Sequence, residues 1–262
     1  MLVTGHQPNY LPYLGLLAKV ARADLFVVVD NVQFVKRGPF GFQHRAKIRT
    51  AQGWHWLTVP VITSGRFTQR INEVEIDRRL PWRRKHWESI RRNYSRAPHF
   101  SAGRQTDVFR QLYERDWERL VDLNLTALRY LLGAFGITTP MVVASEAGIE
   151  GRATGLILDI CRKTGAGAYL HGPHGPDYAD LAAIRDAGYA NFVLDFQHPA
   201  YPQVYRGFEP NMAGIDLLFC LGGEAGLEML LDGNAPRPLD PPAEGGTSSA
   251  EGRMDLKVHP YT

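Results

Sequence analysis

The chain reads as an α/β protein: a mainly parallel sheet with flanking helices, an inserted β-hairpin and a helical segment. Three observations carry that reading. The run Leu25-Phe26-Val27-Val28-Val29 is apolar throughout, as suits a strand covered on both faces. Short apolar runs alternate with stretches of helical spacing at both ends of the chain. Between them lie two alternating segments joined by a turn, followed by a long helical stretch.

Taken in order, residues 2–4 predict a short strand ending at Gly5. Pro8 and Pro12 keep the next loop extended or turned, because proline fixes φ and biases its predecessor away from helix. Leu14, Leu17 and Val20 place a helix over 13–21. The strand at 25–29 completes a βαβ unit. Residues 44–50 and 54–61 alternate, and Ala51-Gln52-Gly53 joins them into a hairpin. Residues 71–76 alternate as well and predict another strand. Pro81 opens a basic helix over 82–94, a position that proline favours. A break at Ala97-Pro98-His99 precedes helices over 106–116 and 117–135, the second capped by Gly136. In the last third, strands at 141–144, 168–171 and 192–196 alternate with helices at 155–163 and 178–187, and helices at 213–220 and 224–231 follow. From Gly233 the chain is rich in Pro, Gly, Ser and acid, which predicts a disordered tail over 233–262. This gives one α/β catalytic domain over 1–232, with a helical insertion at about 81–136.

With 262 residues, 44% of them hydrophobic and 22% charged, the chain has ample material for a buried core. Cys161 and Cys220 lie in apolar helical runs and read as buried thiols in a reducing compartment. No basic segment leading into an apolar stretch opens the chain, and no run reaches the roughly 20 apolar residues that span a bilayer. The expectation is a soluble, cytoplasmic protein without a membrane partner.

Ligands of open α/β sheets bind outside the carboxyl ends of the strands. Reactive side chains gather at several such ends. After the first strand come His6, Gln7, Asn9 and Tyr10; a histidine titrating near neutrality can act as acid, base or phosphate ligand. After the second come Asp30, Gln33, Lys36 and Arg37, a carboxylate beside two cations that suits an amine or sugar with a phosphate. Arg45 follows in an aromatic and basic turn. His171-Gly172-Pro173-His174-Gly175 leaves a strand and enters a helix, a setting for anion or substrate contact. Asp195, His198 and Tyr201 leave the last strand. His171, His174, Asp195 and His198 lack a diagnostic ligand spacing and no cysteine cluster supports them, so no metal is expected. On the basic helix, Arg83, Arg84, Lys85, Arg91 and Arg92 are interleaved with Trp82, His86, Trp87 and Tyr94, a pattern suited to nucleic acid or another anion.

The opening GHQPNYLPYLGLLAKVARADLFVVVDNVQFVKRG resembles the WbqC-like family, as do GWHWLTVPV, YLHGPHGPDY and FQHPAYPQVYRGFEPNMAGIDLLFCLGG. The resemblance runs to about Gly223. By family motif it picks out His6, Gln7, Pro8, Tyr10, Gly15, Asp30, Gln33, Lys36 and Arg37, and later His198, Pro199, Tyr201, Gln203, Asn211 and Asp216. It implies a setting in polysaccharide or secondary-metabolite biosynthesis and transfer of an acyl or aminoacyl group, glycyl included, to an amine of a sugar or small metabolite. In one respect the chain departs from the pattern: His171 to Gly175 stand where relatives often carry a Ser-Gly-x-Gly-Gly type loop, which points to a different substrate.

On this reading His6 is the general base, Asp30 orients the amine or its donor, and Lys36, Arg37 and Arg45 hold phosphate or carboxylate. His171, His174 and His198 form the opposite wall. The donor is an activated aminoacyl group, with aminoacyl-tRNA reaching the basic helix. A distant similarity to nucleotidyltransferases with the HIGH motif keeps ATP use and ligase chemistry open, although the H-x-G-H spacing is absent. A non-catalytic binder of tRNA or another polyanion is the third reading.

Overall fold

The computed structural model describes residues 1–36, 41–101 and 105–239. The N-terminal part comprises β1 (Leu2–His6), α1 (Leu14–Ala21), β2 (Leu25–Val28), β3 (Arg45–Thr50) and β4 (Gly53–Thr58). A helical layer follows: α2 (Trp82–Tyr94), α3 (Gln105–Glu114) and α4 (Leu120–Ala134). Then come β5 (Met141–Val143), α5 (Ala153–Thr164), β6 (Ala168–His171), α6 (Leu181–Asp186) and β7 (Ala190–Val193). The last elements are α7 (Gly214–Leu221), α8 (Gly223–Leu231) and β8 (Arg237–Pro238).

Six strands make one sheet in the order β5-β2-β1-β6-β7-β8. Five are parallel, and β8 runs antiparallel along β7 at the edge. β2 lies between β1 and β5, and all four of its residues are buried. Its side chains alternate between two cores, as the pleat requires. Phe26 and Val28 join the larger core with α1, α4 and α7; Leu25 and Val27 join the smaller one with α5. The α/β architecture is therefore as the sequence predicts.

Three segments differ. Residues 71–76 form no ladder: Ile71–Glu73 is a 3-10 turn, with isolated bridges from Glu75 to Arg119 and from Ile76 to Val61. Glu73 accepts from the Arg70 N–H at 2.7 Å and the Asn72 N–H donates to the Asp30 carbonyl at 2.9 Å. These bonds close the turn and bury Ile71 and Val74, three residues apart. β7 ends at Val193, because Asp195 and Gln197 are drawn to Arg237 and Asn234. Part of the predicted tail is ordered as β8, and residues 240–262 lie outside the described ones.

α2 shows why aromatics interleave with its cations. Trp82, His86, Ile90 and Tyr94 recur every fourth residue and are all buried. Trp87 stacks on Phe100 and Tyr113. These rings pack the helix down, so they offer no stacking platform for bases.

One buried carboxylate joins four parts of the chain. Asp216 on α7 accepts hydrogen bonds from Tyr94 Oη (2.7 Å), Tyr201 Oη (2.7 Å) and Gln203 Nε2 (2.9 Å). Burial pushes its pKa up, and the three donors and nearby Arg49 oppose that shift. Arg49 on β3 in turn donates to Gln203 Oε1 at 3.1 Å and to the Arg206 carbonyl at 2.7 Å. The Tyr94 hydroxyl also accepts from the Arg49 main-chain N–H at 2.9 Å.

Removing the carboxylate leaves two hydroxyls without an acceptor and Arg49 without its nearby anion. Asp216→Ala is expected to cost about 3–5 kcal/mol. Tyr94→Phe, which removes one bond to a charged group, should cost about 1.5–3 kcal/mol. Chemical denaturation of both variants checks the order: equal midpoints for Asp216→Ala and wild type contradict it.

Candidate functional site

β1 leads through α1 to β2 on one side, and β6 lies on the other. Strand order thus reverses between β1 and β6, the place where open α/β sheets bind ligands. His6 ends β1 and His171 ends β6. His6 emerges towards Tyr13, next to α1; His171 lies over Tyr169, whose side chain belongs to the core with α5.

His6 retains some solvent contact, yet protein encloses the ring enough to set its charge state. Burial, and secondarily the charge of Lys19, hold its pKa down at about 3 rather than near neutrality. The ring is neutral at physiological pH. Its Nδ1 bonds to the Gln7 carbonyl at 2.8 Å, a contact that requires the proton on Nδ1. Nε2 is left as an acceptor, with Tyr13 Oη 3.5 Å away.

Lys19 is the main residue that sequence reasoning missed. It sits in α1 among Leu16, Leu17, Ala18 and Val20, and all are buried. Its Nζ donates to the Gly5 carbonyl at 3.1 Å. Among the described residues no carboxylate pairs with it. Burial lowers its pKa to about 8. A buried ammonium without a counter-ion is costly, and a bound anion relieves that cost. The available signal was a single lysine inside an otherwise apolar helical run.

His171 completes the other wall. Its Nε2 bonds to Asn191 Oδ1 at 3.0 Å, and its Nδ1 is buried without a hydrogen-bond partner. Burial lowers its pKa. A Cβ on Gly175 would come within 2.7 Å of Nδ1, so only glycine lets the loop after β6 lie against the ring. The loop then carries Tyr178 towards Tyr13 and Tyr169; burial and the Tyr178 phenol both raise the pKa values of those two residues.

A small hollow of about 10 Å³ lies between the first loop and β3, and Tyr13 on its wall reaches His6. Asn9, Tyr13, Phe42, Arg45, Lys47 and Asn211 are among its lining residues. Leu11 and Asn211, both on its wall, have positive φ (44° and 61°). For Leu that conformation costs on the order of 1–3 kcal/mol and needs support from around it. The Tyr10 N–H bonds to the Phe42 carbonyl at 3.1 Å, and the Gly214 N–H bonds to the Pro12 carbonyl at 2.7 Å.

Of the predicted residues, Asn9, Tyr10, Arg45 and Asn211 thus line one hollow, which Tyr13 connects to His6. Gln7 is tied to Gln43 through their side-chain amides. Others have different tasks. Tyr10 is buried, and its hydroxyl bonds to His86 and Tyr113, so it packs the core instead of touching substrate. Asp30 accepts from the main chain and hydroxyl of Ser145 (3.0 and 2.6 Å) and from Asn72 (3.3 Å), which makes it a clamp between loops. Gln33 bonds to the Phe67 carbonyl and Lys36 to Thr63, both at the surface; Arg37 lies outside the described residues.

His198 has both ring nitrogens engaged, one at the Pro199 carbonyl (2.8 Å) and one accepting from the Asn211 N–H (3.0 Å). It holds the 198–211 loop and has no nitrogen left to act as a base. Tyr201 is buried on Asp216. His174 is exposed beside Asp177, and Asp195 pairs with Arg237. His171, His174, Asp195 and His198 therefore do not converge, and no cluster of three or more metal-ligating side chains occurs among the described residues. On α2, Arg83 binds the Glu114 and Arg115 carbonyls and pairs with Asp116. Arg84, Lys85, Arg91 and Arg92 are exposed on the side away from Trp82 and Ile90. A separate hollow lined by Glu75, Asp77, Arg78, Arg79 and Glu118 contains none of the predicted residues.

A sequence model of the WbqC-like protein family matches residues 7–227. The chain is also similar to the uncharacterized protein Rv1507c of Mycobacterium tuberculosis (strain ATCC 25618 / H37Rv): 32% identical over 221 residues, covering 84% of this chain and 93% of that one. No solved structure matches it significantly. Among the described residues no helix is long and apolar enough to cross a membrane.

The buried histidines make stability depend on pH. Burial lowers His6 to about 3 and both His44 and His86 to about 4, whereas all three titrate near 6.5 when unfolded. Below about pH 6.5 the unfolded chain therefore binds protons that the folded chain refuses. The stability is intact above that pH and falls as pH drops towards 4. Urea midpoints measured from pH 8 to pH 4 should decline in that window, and a flat profile contradicts the assignment.

Proposed function

The chain belongs to the WbqC-like protein family, and from that premise and the crevice at His6 we propose that it is an acyl or aminoacyl transferase. The acceptor is an amine of a sugar or small metabolite, and the donor an activated ester or thioester, glycyl donors included. The observation that carries the reading is a neutral His6 whose Nε2 is an acceptor met only by a long contact from Tyr13 Oη (3.5 Å), set at the switch point beside Lys19, with which no carboxylate pairs among the described residues.

The chemistry balances with these two groups. The amine nitrogen attacks the donor carbonyl, so a C–N bond forms while the carbonyl oxygen becomes an oxyanion. Lys19 stabilises that charge in surroundings of low dielectric. His6 Nε2 takes the amine proton and passes it to the leaving oxygen or sulfur as the C–O or C–S bond breaks. The ligand-free ring is a weak base, and the anionic centre beside it raises its affinity for the proton as the reaction proceeds.

No acyl-enzyme is needed. The Ser145 hydroxyl is bound to Asp30, and burial pushes the Cys161 and Cys220 thiols up to about 12. Attack is therefore direct, with both substrates bound. Nucleotide chemistry at α1 has less support. A Cβ on Gly15 would meet the Tyr13 ring at 3.0 Å and the Phe196 ring at 3.1 Å, so aromatic carbon covers the helix end that would receive phosphate. The reaction is placed in the cytoplasm, where activated donors are made.

Mass spectrometry of amino sugars incubated with acyl thioesters or glycyl-tRNA tests the proposal, with formation of a new amide as the positive result. His6→Ala should lower kcat by about 10²–10⁴. Lys19→Met should lower it by about 10²–10³. Activity should fall above about pH 8 as Lys19 loses its proton, and Lys19→Arg should move that limb to higher pH. Turnover unaffected by His6→Ala would sink the reading.

A further inference from the structure

A row of rings leads outward from His6. His6 meets Tyr13 (centroids 6.2 Å apart), Tyr13 meets Phe42 (5.8 Å), Phe42 meets Trp56 (5.9 Å) and Trp56 meets Trp54 (5.7 Å). Exposure grows along the row: protein encloses most of His6 and Tyr13, Phe42 and Trp56 are half-buried, and Trp54 is 44% exposed. The rings that build the core, such as Tyr10, Tyr94, Phe109 and Phe219, are closed off from solvent. Packing alone does not call for an accessible row.

Cations lie along the same track. Arg45, Lys47, Trp54 and Trp56 share one face of the β3–β4 hairpin, since Lys47 pairs with Trp56 and side chains two apart point the same way. Arg45 Cζ is 4.5 Å from the Trp56 centroid, and Lys47 Nζ is 4.2 Å from that of Trp54. Among the described residues no carboxylate pairs with Lys47. Leu11, strained at positive φ, and Asn211 border the inner end.

From this arrangement we infer that the hairpin track binds the end of a single-stranded polynucleotide and leads it to His6. Aromatic faces stack on bases without regard to sequence, and cations between them take the phosphates. Successive cations on one face of a strand are about 6.7 Å apart, the scale of an extended nucleotide repeat. The rings are inclined to one another by 45° to 81° from Tyr13 to Trp54, so they do not stack among themselves; Arg45 and Lys47 lie over the two indoles, and a base would stack on the faces turned away from them. A neutral oligosaccharide would bring no anion to Lys47, which the indoles alone face. The inference rests on the transferase reading for the reactive end of the track: an acyl group esterified to the terminal nucleotide would be delivered at His6.

Fluorescence anisotropy with a labelled ribo-oligonucleotide of about ten nucleotides tests it in the full chain. Trp54→Ala should weaken binding about 5- to 150-fold. Lys47→Ala should weaken it for every sequence and reduce the salt slope by about one. Trp54 and Lys47 lie outside the buried core, so thermal midpoints near wild type will show that both variants fold. The inference is overturned by wild-type protein that does not bind at low salt, or by track variants that bind as wild type does. Loss of binding only in the Arg91→Glu, Arg92→Glu double variant also overturns it, by placing the polyanion on α2. Binding requires no turnover, so failure here leaves acyl transfer standing, and absence of transfer leaves the binding measurement intact.

Discussion

The buried carboxylate of Asp216 is the joint on which the surroundings of the site depend. It draws Tyr94 from α2, Tyr201 and Gln203 from the long loop after β7, and, through Gln203, Arg49 from the hairpin. A carboxyl this deep is tolerated only because its oxygens are occupied by donors. The arrangement fixes the hairpin against the main body of the protein. It also sets where the loop bearing Asn211 lies, and so shapes the hollow that Tyr13 connects to His6.

The crevice itself is built on the opposite principle. Around Asp216 every strong polar group is answered; at the switch point Lys19 has a single main-chain acceptor and His171 Nδ1 has none. Unanswered buried polarity is expensive, and proteins accumulate it where a ligand will supply the missing partner. Burial also separates the roles. It keeps His6 neutral and brings Lys19 down to where its proton is exchangeable near pH 8. A neutral ring and a buried ammonium thus stand near enough for the charge of Lys19 to act on His6.

Much of this was legible from residue types. The all-apolar run at Leu25 announced a central strand, and β2 is one. Ala51-Gln52-Gly53 announced the hairpin, and Gly53 has the positive φ (117°) that such a turn uses. His6 and His171 were placed at strand ends, and they flank the reversal in strand order. What misled was treating polarity as exposure. Tyr10, Asp30, His198 and Tyr201 all look reactive in sequence, yet each is engaged with another part of the protein. Apart from the Pro199 carbonyl next to His198, their partners are 13 to 115 residues away, as with Asn211 and Ser145, and nothing local reveals them. The same holds for the aromatics of α2, whose spacing of four turned out to be that of a packing stripe.

The sequence by itself determined which segments become strands and helices, because hydrophobic period, proline position and turn chemistry are local properties. It also carried the family motif and the residues around it. Only the tertiary structure decided which polar groups are spent on one another and which remain available. That depends on burial and on distance across the chain: the same imidazole is a loop clamp at His198, while at His6 its Nε2 meets only Tyr13 Oη at 3.5 Å. It likewise made a site residue of Lys19, an ordinary lysine in sequence, by enclosing its charge without an anion at the end of β1.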